Sequence, residues 1–344
     1  MKLFARERSP HCLPALLLAA CCLLAACGRG RSKILEVDYV SAPQVNLRDR
    51  LAAVYNKTGV VKNGDRIEVL ERQRRFLRVR AASGAEGWIE QRYVVSQEVY
   101  DSFQKLAQDN QTTPVQAHGI TRNDTNLHIE PGRDSEHLYL LASGEKLAML
   151  KRGTAEKPGA SAPPPKIQKS AETGATPQPG LEDWWLVRDS QSRVGWVLGR
   201  MVDLDVPLEI AQYAEGQRLV SFFELNQVQD GDKKVPQYLA VLTEPKDGQP
   251  FDYDQVRVFT WNVRRHRYET AYRERNFEGF LPVTVSHEDF GKEGTLPVFV
   301  LHVKDTSGDV IERKYKLNTP IVRRVVAPGE QKEAPVARRK KKRR

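Results

Sequence analysis

Gly84-Ala85-Glu86-Gly87-Trp88-Ile89 is the stretch on which the reading of this chain turns, because it returns as Gly195-Trp196-Val197. Around the first copy, short runs of β-branched and aromatic residues alternate with charged ones. Ile67 and Val69 alternate within Arg66-Ile67-Glu68-Val69, and Leu77 and Val79 within Phe76-Leu77-Arg78-Val79-Arg80. Each run predicts a strand with one buried face. Working outward, Asn46-Leu47 matches Asn126-Leu127 and Gly64-Asp65 matches Gly144-Glu145, both at an offset of 80 residues. Phe76, Val79-Arg80 and Gly87-Trp88-Ile89 match Trp184, Val187-Arg188 and Gly195-Trp196-Val197 at an offset of 108. Two constant offsets with one gap between them mark an internal duplication. Strands this short and closely spaced suit small barrels.

The order Asn-Leu-Arg, Gly-Asp, aromatic-x-x-Val-Arg, Gly-Trp-Ile resembles the bacterial SH3-like (SH3b) domain. The resemblance covers about Tyr39 to Ser96 and Gly119 to Leu204, and the second copy departs from it at His128, where the first has Arg48. It implies small, mostly antiparallel β-barrels that act as binding modules in envelope proteins, on cell-wall peptide or on partner proteins.

Between the copies, Ser96 is placed to cap a helix whose first turn carries Glu98. Val99, Phe103 and Leu106 recur there at helical spacing. The second copy holds a Pro-rich insertion with Pro163-Pro164-Pro165 and almost no apolar bulk, which predicts disorder. Beyond Pro207, seven further strands are expected, at 218–223, 237–243, 255–262, 267–273, 281–285, 298–304 and 310–317. Asp305-Thr306-Ser307-Gly308-Asp309 reads as a hairpin connection and Val263-Arg264-Arg265-His266 as a turn. The fold class is all-β: two small SH3-like β-barrels joined by a short helix, plus a C-terminal antiparallel β-sheet or sandwich domain.

At the start of the chain, Lys2, Arg6 and Arg8 precede an apolar run from Leu13 to Ala26, and Leu24-Ala25-Ala26-Cys27 closes it. This layout is that of a secretory signal. The closing motif resembles the lipobox of bacterial lipoproteins, which implies cleavage before Cys27, a diacylglycerol on its thiol and an acylated amino terminus. Leu18-Ala19-Ala20-Cys21 fits the same motif but leaves a shorter apolar run, so Cys27 is preferred. The run is shorter than the roughly 20 residues a spanning helix needs. All four cysteines, Cys12, Cys21, Cys22 and Cys27, lie in this region, which excludes a disulfide framework or a cysteine metal site in the mature chain. The formal charge of +10 is concentrated in the run Arg338, Arg339, Lys340, Lys341, Lys342, Arg343 and Arg344, and the body is close to neutral. Such a tail reads as an electrostatic contact with an anionic envelope surface, and nucleic acid is not expected for an exported chain.

The expected organisation is a signal peptide at 1–26, a tether at 27–38, a first SH3b-like module at 39–96 and a helical linker at 97–115. A second module follows at 116–206 with its insertion at 152–182, then a C-terminal β domain at 207–327 and a disordered basic tail at 328–344.

No nucleophile elbow, zinc-protease helix or phosphate loop occurs, and no two histidines stand at helical metal spacing. His287-Glu288-Asp289 is expected in a solvated loop. No catalytic residue, metal or cofactor is assigned. The ligand-binding candidates are the aromatics at or beside matching places in the copies: Phe76, Trp88, Tyr93, Trp184, Trp185 and Trp196. Trp184 and Trp185 are adjacent on a strand and point to opposite faces, so one of them is expected to be exposed. The expected function is a lipid-anchored cell-envelope binding or scaffold protein, not an enzyme, whose modules bind peptidoglycan or an envelope partner. Its anchor membrane is the outer one, facing the periplasm, if the cell is Gram-negative. The alternatives are an envelope enzyme with its active site in the C-terminal domain, and a regulator of wall hydrolases.

Overall fold

Alternation of apolar and charged residues builds the first sheet. In a computed structural model that describes residues 33–159 and 180–326, its strands are β1 (Glu36–Val40), β2 (Gln44–Arg48), β3 (Lys57–Lys62), β4 (Arg66–Gln73), β5 (Phe76–Ala81), β6 (Glu86–Glu90) and β7 (Val94–Ser96). Their order across the sheet is β3-β2-β6-β5-β4-β1-β7. Leu47, Val61, Ile67, Val69, Leu77, Val79 and Ile89 form its core, each almost fully withdrawn from water. Residues of this kind contribute about 1.5–3 kcal/mol each when fully buried. The lipobox and Cys27, the middle of the Pro-rich insertion and the basic tail from Arg338 to Arg344 lie outside the described residues.

The chain divides into two units, the first holding Gln44–Val94 and the described residues up to Val40, the second Ser41–Pro43 and the described residues from Val95 onward. Among the described residues, no helix is long and apolar enough to cross a membrane.

The second unit opens with helix α1 (Gln97–Asp109), whose Val99 N–H donates to the Ser96 hydroxyl at 3.4 Å. There follow β8 (Ala117–Thr121), β9 (Thr125–His128), β10 (His137–Leu141), β11 (Lys146–Glu156), β12 (Leu181–Arg188), β13 (Val194–Leu198) and β14 (Val202–Leu204). Their order, β10-β9-β13-β12-β11-β8-β14, repeats that of the first sheet strand for strand. A single-turn 3-10 helix precedes the last strand in both, at Gln91–Tyr93 and at Gly199–Met201. The duplicated sequence is therefore a duplicated topology.

The Gly-Trp pair has the same physical reason in each copy. A Cβ on Gly87 would stand 2.8 Å from Leu47 Cβ and 3.0 Å from the Arg48 carbonyl, and one on Gly195 would stand 2.9 Å from Leu127 Cβ and 3.1 Å from the His128 carbonyl. Only glycine lets β6 and β13 lie this close to their neighbours.

The copies differ in what covers them. On β5 and β6 of the first, Arg78 and Glu86 pair at 3.2 Å on the outer face. The matching residues of the second, Leu186 and Val194, are buried in a cluster with Leu106 and Ala107 of α1. The apolar stripe of the helix is thus spent on the second barrel, with Phe103 packed edge-on against Tyr139 at 5.4 Å.

The insertion is shorter than expected at both ends. Residues 152–156 and 181–182 belong to β11 and β12, which pair as far as Glu156 with Leu181. Their polar composition hid a hairpin stem that is held by backbone pairing.

The C-terminal region is a single antiparallel meander: β15 (Arg218–Asp230), β16 (Lys233–Thr243), β17 (Tyr253–Asn262), β18 (Arg267–Asp289), β19 (Thr295–Lys304), β20 (Val310–Asn318) and β21 (Ile321–Val325), in that spatial order. A short helix, α2 (Leu208–Ala211), precedes it. Ile210 of α2 packs on a face made by Tyr238, Ala240, Leu242, Phe259 and Tyr268. The two strands expected at 267–273 and 281–285 are one strand of 23 residues. In the fold Gly279 lets the Tyr253 ring lie against the backbone, and the pairing shifts between Phe280 and Thr284 without ending. His287-Glu288-Asp289 closes this strand and is not a loop; Glu288 pairs with Lys314 at 2.7 Å. The hairpin at 305–309 forms as expected, with Gly308 at φ 96°.

Candidate binding faces

Strand alternation sets one face of the first module outward: Phe76, Arg78 and Arg80 on β5, and Glu86, Trp88 and Glu90 on β6. Trp88 is aligned with Arg78 on one side and with Arg48 of β2 on the other. The Arg48 guanidinium lies 4.5 Å from the Tyr55 ring centre and 5.7 Å from that of Phe76, and pairs with Glu90 at 3.4 Å. Phe76, Trp88 and Arg48 are each partly exposed. The result is an open shelf with aromatic surface, a cation and a carboxylate within one strand width. Such a surface stacks flat or apolar groups and holds peptide charges beside them. Tyr93 does not join this shelf. It packs against the barrel core and accepts a 2.7 Å hydrogen bond from Arg92.

In the second module the matching residues build a cleft of about 340 Å³ lined by Trp184, His128, His137, Arg133 and Arg200 among others. His128 takes the place of Arg48 and lies edge-on to Trp184 at 5.3 Å, as Arg48 lies over Phe76. His137 stands 5.5 Å beyond. The Ser135 carbonyl, 3.0 Å from His128 Nδ1, accepts its proton and leaves Nε2 as the acceptor nitrogen. Burial holds the His128 pKa below the usual imidazole value, so the ring is neutral near pH 7. Arg133 makes a two-pronged pair with the buried Glu182 at the rim. Among the described residues, the buried Trp184 Nε1–H has no acceptor.

The expectation that one of Trp184 and Trp185 is exposed is overturned: their exposures are 1% and 7%. Alternation does send them to opposite faces, but both faces are covered. His128 covers Trp184. Trp185 takes the interior place of Leu77 and borders a cavity of about 300 Å³ shared with Met149, Val202, Leu219 and Val220, where the C-terminal sheet closes that end of the barrel. Trp196 is half-buried, packed on the cluster beneath α1 and crossing Gly153. Of the six aromatics read from the sequence, Phe76 and Trp88 share an open face, Trp184 lines a cleft, and Tyr93, Trp185 and Trp196 serve packing. Sequence reasoning missed Tyr55, for which it holds no signal, and His137. It recorded Arg48 and His128 only as a departure between copies, yet that change is what distinguishes the two sites.

Residues 43–95 match the family model described as the bacterial SH3 domain. The first module carries that domain. None of the curated proteins matches the chain. Among solved structures, similarity is found to NlpC1 from Trichomonas vaginalis, at 9% identity over 51% of this chain and 48% of that one, with a TM-score of 0.17. An NlpC/P60 family protein from Bacillus cereus matches at 10% identity over 56% of this chain and 65% of that one, with a TM-score of 0.23. The chain thus spans less than two thirds of the length of either protein. At these TM-scores the overall folds do not superpose.

Proposed function

We propose that the chain is a non-enzymatic, lipid-anchored cell-envelope protein that binds cell-wall peptide or peptidoglycan, or an envelope partner, through its first module. The observation that carries this reading is the shelf of Phe76, Trp88, Tyr55 and Arg48 on a domain that matches the bacterial SH3 model. The repeated strand order supports reading residues 116–206 as a second SH3b-like module, with the Trp184 and His128 cleft as its counterpart. Cys27 is the anchor in this account, in the outer membrane facing the periplasm if the cell is Gram-negative. The run from Arg338 to Arg344 adds charge-driven contact with anionic envelope material.

Co-sedimentation of residues 28–344 with purified peptidoglycan tests the proposal. The runs compare the parent chain, a chain ending at Ala337 and a Phe76→Ala/Trp88→Ala variant, each at low and high salt. Binding that survives tail removal and high salt but fails in the aromatic variant supports it. Binding lost with the tail or with salt reduces the attraction to charge, because exposed charges are screened within about 10 Å at 0.1 M salt. No binding by any form leaves the envelope partner as the ligand.

A further inference from the structure

Four side chains form a block on one face of the C-terminal sheet. Arg257 of β17 is paired in register with Arg273 of β18, and Gln255 with Arg275. Residues paired in register share a face of the sheet, so three guanidinium groups and an amide stand side by side. Arg257 is fully buried. Its Nη1 donates to the Tyr213 carbonyl at 2.6 Å and its Nη2 to the Glu215 carboxylate at 3.0 Å. Two donors in the block, Arg257 Nε and Gln255 Nε2, are buried with no acceptor among the described residues. A donor left this way costs about 1–3 kcal/mol.

The block is short of negative charge. One carboxylate, Glu215, serves all three arginines, with Arg273 Nη2 at 3.2 Å from both of its oxygens and Arg275 at 3.8 Å. The charges of Asp254 and Arg275 also attract each other. Burial, with the charges of Arg273 and Arg275 beside it, holds the Arg257 pKa below its usual range although Glu215 is its partner. Glu215 itself is 53% exposed, lies in the turn closed by Gln217 N–H to the Ala214 carbonyl, and has φ 52°. That left-handed backbone costs a residue with a side chain about 1 kcal/mol. Among the described residues, a half-exposed carboxylate on a strained surface turn is thus the one carboxylate that Arg257 and Arg273 share.

We propose that the block of Gln255, Arg257, Arg273 and Arg275 is an oxyanion site for a phosphate group, which Glu215 occupies as an internal, displaceable stand-in. A phosphate brings up to two negative charges and more acceptor oxygens than a carboxylate, and guanidinium forks match its geometry. It supplies the missing charge and gives the unused donors a partner. The block shares no residue with the binding faces of the two modules, and the proposal is independent of the function proposed for them.

The test is calorimetric titration of residues 28–344 with inorganic phosphate at constant ionic strength, with chloride and malonate as comparison anions. The parent chain binds phosphate weakly. E215Q, which removes the competing charge and keeps the shape, binds at least tenfold more tightly, and E215Q/R273Q loses the gain. Phosphate also raises the thermal midpoint of the parent chain, and R273Q abolishes that rise. Since Arg273 is partly exposed, R273Q keeps the assay usable if E215Q does not fold. Equal heats in E215Q and E215Q/R273Q, or a midpoint that phosphate moves no more than chloride does, overturn the site. Malonate binding as tightly as phosphate overturns the assignment to phosphate.

Discussion

The Arg152 guanidinium donates to the Asp183 carboxylate at 2.6 Å, and both side chains are more than nine-tenths buried. The pair joins β11 to β12 within the second module and also reaches into the C-terminal sheet. Arg152 Nη1 lies 2.9 Å from the Phe251 carbonyl and 3.3 Å from Asp252, while Asp183 accepts from Gly248 N–H at 2.9 Å and from Arg218 at 2.7 Å. The Val283 N–H donates to Gln116 Oε1 at 2.7 Å on the same junction. Second barrel and sheet are therefore held by a buried polar network that uses both Arg152 Nη atoms and both Asp183 oxygens.

Removing one partner of such a pair leaves an uncompensated buried charge, which costs about 3–5 kcal/mol. Arg152→Met is expected to lower stability by that amount in urea unfolding of the second unit followed by tryptophan fluorescence. Arg122→Met, whose pair with Asp203 is exposed, is expected to cost under about 1 kcal/mol. Equal effects of the two substitutions contradict the account of the junction.

The glycines before Trp88 and Trp196 give a paired prediction. An added methyl meets backbone or a Cβ at about 3 Å in both copies, contacts that no rotamer change relieves. Gly87→Ala and Gly195→Ala are each expected to destabilise their module by roughly 1–3 kcal/mol. Gly231→Ala is the control, since a Cβ there has open space around it and only the turn's positive φ opposes it. Thermal unfolding of the three variants decides the point, and a larger loss at Gly231 contradicts it.

How much of this was legible in the sequence follows from which interactions are local. The duplication, the cap at Ser96, the glycine turns and most strands rest on neighbours within a few residues, and they were readable. Leu186 and Val194, standing where the first copy has Arg78 and Glu86, carried a signal of a covered face in the second copy that the sequence reading did not take up. What covers Trp184 and Trp185 depends on His128 and on the C-terminal sheet, far away in sequence, so alternation alone misjudged their exposure. The convergence of Arg257, Arg273 and Arg275 on Glu215 was hidden for the same reason. Nothing in the sequence ties Arg273 and Arg275 to residue 215.

Asp38 predicts a pH dependence for the first unit. Burial, with Glu36 nearby, raises its pKa from 3.8 to about 6. The folded state therefore takes up the proton before the unfolded state does, and the contribution of Asp38 to stability rises as pH falls from about 6 towards 3.8. Asp38→Asn mimics the protonated form. It is expected to stabilise the unit by on the order of 2–3 kcal/mol at pH 8 and by nothing near pH 3.5. Urea unfolding at the two pH values measures the difference, and a gain that does not change with pH contradicts the assignment.

Trp184 and Phe76 occupy matching positions with unlike burdens. Trp184→Ala is expected to cost roughly 3–5 kcal/mol of stability in the second module, as for other buried large aromatics. Phe76→Ala, on the open shelf, is expected to leave the unfolding midpoint of the first module within about 1 kcal/mol of the parent while weakening ligand binding. Circular dichroism melts set beside wall co-sedimentation separate the two effects. Loss of binding at Trp184 without loss of stability contradicts the packing role.

The shelf itself is tested most directly by the five tryptophan indole N–H resonances in a nitrogen-correlated NMR spectrum during titration with soluble peptidoglycan fragments. Trp88 lies on the shelf, Trp185 is sealed in the junction, and the indole N–H of Trp261 is held by Asp230 at 2.8 Å. The account predicts a saturable shift of the Trp88 indole that Phe76→Ala removes, with Trp185 and Trp261 unmoved. A Trp88 resonance that stays fixed while wall fragments bind elsewhere contradicts it.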